Sequence, residues 1–199
     1  MHVATYPRVN SIPPFPDSIT TPNRLTNLST TPGLRLKVSS KHLTLASKPF
    51  KNKLHSITSK HRIIQSDGRT HISLAAGFDP KAVTISLNII HGRGSKVPKS
   101  VDLETLAKIA HFVDKFQLFE TVEIYADRWI RNLWEETALE DADQWGIVSW
   151  IYVSYVFRRG DIFKAATRAA AIHADGPIGG LGLPVREKII SEFHVTDWG

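Results

Sequence analysis

Apolar residues recur at helical spacing through the middle of the chain, over residues 79–133. The first segment, AVTISLNIIHG, follows Asp79-Pro80, which offers an N-cap residue and a proline suited to the first helical turn. Gly92 and Pro98 then bound a basic turn that ends this helix. The pattern predicts one apolar helix followed by a break.

Two amphipathic helices follow the turn. Their apolar faces consist of Leu103, Leu106, Ala107, Ala110 and Val113 in the first and Phe119, Val122, Ala126, Trp129, Ile130 and Leu133 in the second. Because only a few residues separate the two helices, we expect them to lie next to each other and share a core.

Shorter patterns flank this region. Residues 34–38 (LRLKV) and 70–74 (THISL) alternate in polarity as half-buried strands do. Between them, Ser39-Ser40 offers a cap for a leucine-rich helix, and Pro49 predicts a break in that helix. Further helices are predicted at about 142–157, 161–173 and 185–193. This order is typical of an α+β module that becomes all-α at its C-terminal end.

Composition narrows the function classes. The chain has 199 residues, of which 42% are hydrophobic, enough for one domain with an extension. It has no cysteine, which excludes disulfides and thiolate chemistry and fits the cytoplasm or the nucleus. The longest apolar run, residues 145–157, is shorter than the roughly 20 residues of a membrane span, so we expect no membrane partner.

Charge is unevenly distributed along the chain. Residues 1–66 contain ten Lys or Arg and one acidic residue, Asp17, although the whole chain has a net charge of only +6. Such asymmetry can mark a surface for nucleic acid or for acidic partners. The alternative is that these lysines keep one helix soluble, and this second interpretation is favoured.

Residues that could support chemistry are present but scattered. Among the nine histidines, His55 and His61 lie in a polar segment, and His91 and His111 belong to different predicted helices. No metal-ligand spacing, nucleophile elbow or phosphate-binding glycine loop is found in the sequence. We therefore predict no catalytic residue, no metal, no cofactor and no enzymatic activity.

Several segments together resemble one known family. They are Val38–Phe50, Leu87–Arg93, Lys96–Leu106, Val113–Phe116, Glu120–Ile130, Trp150–Phe157, Ile162-Phe163 and Gly182–Pro184. In order, these segments are similar to the strand and first helix, the next helix and linker, the closing helix pair and the helical extension of BTB/POZ domains. The resemblance is to the large group of BTB/POZ domains found in fungal proteins.

The resemblance implies a fold and a domain organisation. It implies an α+β, BTB/POZ-like small sheet flanked by a helical cluster, followed by an all-α extension. The domain would span residues 34–135 and the extension 140–195, after a disordered or loosely attached segment at 1–33. Asp17–Thr20 departs from the alternating-valine strand with which the family opens.

The resemblance also implies a function: a non-enzymatic protein-interaction module that self-associates, as a homodimer, or docks a partner as an adaptor. The expected partner-binding residues are Leu34, Leu36, Leu43, Leu45, Phe50 and Leu54. We expect the leucine-rich helix to have more apolar surface than a small three-helix core can bury. Exposed apolar patches usually mark interfaces.

Two other partners are weighed beside this one. Cullin-ligase adaptors of the family carry a hydrophobic-x-acidic motif where the fourth helix begins, and Asp102-Leu103-Glu104 does not supply that order, which weakens a cullin as partner. The alternative function is a nucleic-acid or chromatin-associated factor that uses the basic N-terminal third. Nucleic acid is the less favoured partner, because no zinc finger, helix-turn-helix or basic-aromatic pattern is found in the sequence.

Overall fold

Three short strands form a small sheet. The structure, a computed structural model, describes residues 2–6, 34–60, 70–74 and 77–173. Strands β1 (His2–Tyr6), β2 (Leu34–Val38) and β3 (Thr70–Ser73) pair in the order β2-β1-β3. β1 runs antiparallel to β2 and parallel to β3. The first residues of the chain thus lie between two segments that are distant in sequence.

The prediction that residues 1–33 are disordered or loosely attached is wrong for His2–Tyr6, which form the central strand. The physical reason is that both strands with which it pairs are remote in sequence, so no local pattern marks it. The other strand candidate, Asp17–Thr20, lies outside the described residues.

Helices make up most of the described chain. They are α1 (Ser40–Ala46), α2 (Lys48–Lys60), α3 (Pro80–Ile90), α4 (Leu103–Phe116), α5 (Phe119–Glu135), α6 (Gln144–Val156) and α7 (Gly160–His173). A 3-10 turn, Gly94–Lys96, follows α3. The helical content of this part of the chain is compatible with the predicted α+β fold, and the BTB/POZ-like character of the sheet stays a prediction. The helix predicted at 185–193 lies outside the described residues.

Aspartates begin three of these helices. The carboxylate of Asp79 accepts a hydrogen bond from the Ala82 amide at 2.8 Å, which confirms the cap predicted for α3. Asp102 and Asp143 cap α4 and α6 in the same way. Each cap satisfies an amide that would otherwise lack a partner in the first helical turn.

The core is continuous from the sheet to α7. Along α4, one face is almost completely buried, and α6 is buried on nearly all sides between α4 and α7. The apolar run at 145–157 is therefore an interior helix. Among the described residues, no helix has both the length and the apolar character that a membrane span requires.

The turn between α6 and α7 joins the last helices to α5. The guanidinium of Arg158 lies 4.4 Å from the centre of the Phe119 ring, a cation–π contact. The next residue, Arg159, forms an ion pair with Asp127 of α5. The predicted extension thus packs directly against the preceding helices in the described structure.

Candidate interaction surface

Helix α1 is joined to α3 through a histidine. The Ser39 amide, at the N-cap of α1, donates to Nε2 of His91 at 2.8 Å. Because Nε2 accepts, Nδ1 carries the proton and donates to the Leu87 carbonyl at 2.7 Å. The His42 ring stacks on the His91 ring with 5.2 Å between their centres. These contacts fix the start of α1 against the end of α3.

The environment of His91 keeps its ring neutral. Burial lowers the pKa of His91 below its ordinary value, and the charges of His42 and Arg93 lower it further, against an opposing hydrogen bond to Leu87. If Nε2 of His91 were protonated, two hydrogen-bond donors, this N–H and the Ser39 N–H, would face each other without an acceptor. The contact therefore requires the neutral ring.

Ser47 forms the joint between α1 and α2. Its extended backbone interrupts the helix where Pro49 predicted a break, so that prediction is confirmed. The Ser47 hydroxyl donates to the Phe116 carbonyl at 2.6 Å and accepts from the Phe50 amide at 3.1 Å. Ser47 is thus the N-cap of α2 and also ties the joint to the end of α4.

An aromatic cluster holds the start of α2. The Phe50 ring stacks on Phe116 with 4.2 Å between ring centres, and Phe112 lies 6.2 Å away. Phe78, which precedes α3, also contacts both of these α4 rings. Such ring pairs add stability beyond the apolar area that they bury.

The six predicted partner-binding residues fall into three groups. Leu43, Phe50 and Leu54 are only 1%, 2% and 5% exposed, so their assignment to the interaction surface is wrong in this structure. The reason is that α3 and α4 provide enough apolar surface to bury them. Leu34 and Leu36 are half-buried against the core. Leu45 alone of the six is fully on the surface, with 87% of its area exposed.

Leu45 has basic neighbours in the sequence. Lys41 is one turn before Leu45 on α1, and Lys48, Lys51 and Asn52 are exposed on the first turns of α2. These five exposed side chains, Lys41, Leu45, Lys48, Lys51 and Asn52, are called the basic–apolar surface below. The sequence contains no Asp or Glu from residue 34 to residue 60, so the whole segment is cationic.

Two signals that shape this surface were missed in the sequence. Ser47 is a standard cap residue immediately before a Lys-Pro pair, and it marks the N-terminus of a new helix. A histidine such as His91 suggests a metal ligand or a catalytic group from sequence, whereas this one accepts a backbone hydrogen bond. No local signal predicted that pairing, because the two residues are 52 positions apart.

Another exposed apolar side chain offers a comparison. Ile124 lies on α5 with 83% of its area exposed, close to the value of Leu45. Its neighbours in the sequence include Glu120 and Glu123, so its surroundings are mainly acidic. Ile124 is therefore a matched control for Leu45.

Two cavities lie among the described residues near the helices discussed above. A cleft of about 50 Å³ between β2 and α3 is lined by Leu36, Asn88 and His91 among others, and has room for little more than water. A recess of about 410 Å³ lies between Val101 and α5. Its polar groups Asp102 and Trp129 already bond to Thr105 and the Pro98 carbonyl. The described residues include no group of three potential metal ligands.

The charged side chains at the start of α4 form local pairs. Asp102 caps the helix, and Glu104 accepts from Lys108 at 2.6 Å. The hydrogen bond to Glu104 is the main reason that the pKa of Lys108 is raised. These side chains already have partners within the chain.

Comparisons with known proteins give no independent identification. Neither a family model, nor a curated protein, nor a solved structure matches this chain.

Proposed function

We propose that this chain is a non-enzymatic protein-interaction module of the BTB/POZ type, and that the basic–apolar surface is where it docks a partner protein or a second copy. The exposed Leu45 on a rigidly held helix carries this proposal. An exposed leucine on a fixed helix gains by being covered on binding.

The anchoring of α1 supports the proposal. Leu43 is buried, Ser39 bonds to His91, and Ser47 bonds to Phe116, so both ends of the short helix are fixed. A surface that is already ordered loses little conformational freedom on binding. Leu45 is therefore presented in a defined position in the free protein.

The order of elements supports the BTB/POZ part of the proposal. A small sheet lies beside a helical cluster, and α6 and α7 follow it, as the family resemblance leads us to expect.

The function is tested with Leu45→Asp, because Leu43→Asp would place a charge in the core. We expect wild type and Ile124→Asp to enrich the same proteins in quantitative affinity purification, or to self-associate in sedimentation equilibrium. Leu45→Asp should lose that interaction at least about tenfold. Identical behaviour of all three proteins, each folded, would contradict the proposal.

A further inference from the structure

We infer that the partner of the basic–apolar surface is an acidic polypeptide segment with an apolar side chain that covers Leu45. This inference rests on the proposed function and specifies the chemistry of its partner. It follows from the charges around Leu45 and from the kinds of residue that the surface lacks.

The charges are complementary to an acidic segment. Lys41 and Lys48 precede and follow Leu45 in the sequence, at four and three positions, and all three side chains are exposed. Three residues of chain span at most about 11 Å, so the Cα atoms of Leu45 and Lys48 are no farther apart than that, a separation comparable to the Debye length of about 8 Å at physiological salt. Carboxylates placed around an apolar anchor would meet both features at once.

A second copy bound through the same face fits less well. A two-fold contact brings each surface against itself, so the lysines of one copy would face those of the other. No acidic residue from 34 to 60 offsets that repulsion, and each chain has a net charge of +6. The surface therefore favours a partner of opposite charge.

Nucleic acid also fits less well. Binding to single strands relies on exposed aromatic side chains for base stacking, and phosphate recognition favours the forked guanidinium of arginine. From residue 40 to residue 57 the sequence has no Tyr, Trp or Arg, and its one phenylalanine, Phe50, is buried. An exposed leucine at the centre has no role on a phosphate backbone.

The binding test uses a fluorescein-labelled peptide of about 14 residues with about eight carboxylates and two leucines. Two comparison peptides replace the leucines with serine, or the acidic residues with their amides. Single-stranded and duplex oligonucleotides of similar charge are measured beside them by fluorescence anisotropy, at about 50 mM and about 300 mM salt.

Variants of the full chain locate the site. Leu45→Ser removes the apolar group without a charge change, and Leu45→Asp is matched by Ile124→Asp. The pair Lys41→Glu/Lys48→Glu is matched by Lys115→Glu/Lys164→Glu, two exposed lysines on α4 and α7. Each variant is first checked for folding by its urea unfolding midpoint.

We expect the acidic leucine peptide to bind wild type and both controls. Leu45→Ser should weaken binding at least about fivefold, and Lys41→Glu/Lys48→Glu at least about tenfold. Binding should also weaken when leucine is absent from the peptide and when salt is raised.

Three results would overturn the inference. Equal binding by Leu45→Ser and wild type would mean unspecific attraction between charges. Oligonucleotide binding tighter than peptide binding and indifferent to Leu45 would indicate nucleic acid. Absence of peptide binding together with Leu45-dependent self-association would identify a second copy, and in that case the proposed function would stand while the acidic partner would fall.

Discussion

The α1–α2 segment and the α4–α6 pair both carry apolar side chains at helical spacing, yet they use them differently. In α4 and α6 those side chains are buried on contiguous faces. In α1 and α2 the pattern divides: Leu43, Phe50 and Leu54 are buried, and Leu45 is exposed in a segment rich in lysine. Apolar periodicity thus identifies core residues when other helices pack around the helix. Where a helix lies at the edge of the core, some residues of the same pattern remain exposed.

The largest expected difference between the regions is in stability. Phe112→Ala in α4 should lower the free energy of unfolding by about 3–5 kcal/mol, because it leaves a cavity among packed rings. Leu45→Ala should change that free energy by less than about 0.5 kcal/mol, because the side chain is already in water. Urea unfolding measures both, and equal losses would contradict the division of the molecule into core and surface.

A smaller loss in the free energy of unfolding is expected from a substitution at the start of α4. Asp102→Ala should cost about 0.5–2 kcal/mol, because the Thr105 amide loses its acceptor. Hydrogen bonds from Thr105 lower the pKa of Asp102, so the stabilisation by the charged form is present above the ordinary value of 3.8 and is lost as pH falls through the lowered value.

Asp102→Asn is the control for this cap. Its amide oxygen can still accept from Thr105, so most of the stability at neutral pH should remain while the part of the acid-pH dependence that comes from Asp102 disappears. The measurement is the urea unfolding midpoint of the three proteins at neutral and acid pH. Equal destabilisation by Ala and Asn at neutral pH would show that the cap is not the cause.

A pH effect is expected where α1 meets α3. The pKa of His91 is lowered mainly by burial, so between its ordinary value of 6.5 and the lowered value the unfolded chain binds more protons than the folded one. This contribution to stability is complete above 6.5 and falls as pH drops below it. His42, Arg93 and Lys37 are the charged or titratable groups near the ring, and none is an acid that would oppose the shift.

His91→Gln tests that effect, since an amide oxygen can accept from Ser39 without titrating. Burial also lowers the pKa of His111, which adds the same pH dependence to both proteins. As pH is lowered from about 8 to about 5, the urea unfolding midpoint should therefore decrease less for His91→Gln than for wild type. Parallel curves would mean that the His91 contact does not contribute.

The smallest effect is expected at Gln117, which ends α4 with a φ of 51°, in the left-handed region. Gln117→Gly should stabilise the chain by about 0.5 kcal/mol, because glycine adopts this conformation without strain. Arg158 has a φ of 57°, but its contact with Phe119 would be lost in Arg158→Gly. Gln117→Gly should therefore raise the urea unfolding midpoint of the chain, and Arg158→Gly should not.

The two regions also differ in how much the sequence could predict. The extents of α6 and α7 and the cap at Asp79 were predicted, because local periodicity and capping determine them. The division between Leu43 and Leu45 was not, since both are leucines two positions apart and only the location of α3 and α4 decides which one is buried. β1 was missed for a related reason, because both of its pairing partners are remote in sequence.

Binding and stability of Leu45→Asp, measured side by side on the full chain with Ile124→Asp as control, test the central claim most directly. We expect both variants to unfold within about 0.5 kcal/mol of wild type, and only Leu45→Asp to lose the partner or peptide, by at least about tenfold. Retention of binding by a folded Leu45→Asp, or equal loss in Ile124→Asp, would contradict the assignment of the basic–apolar surface as the interaction site.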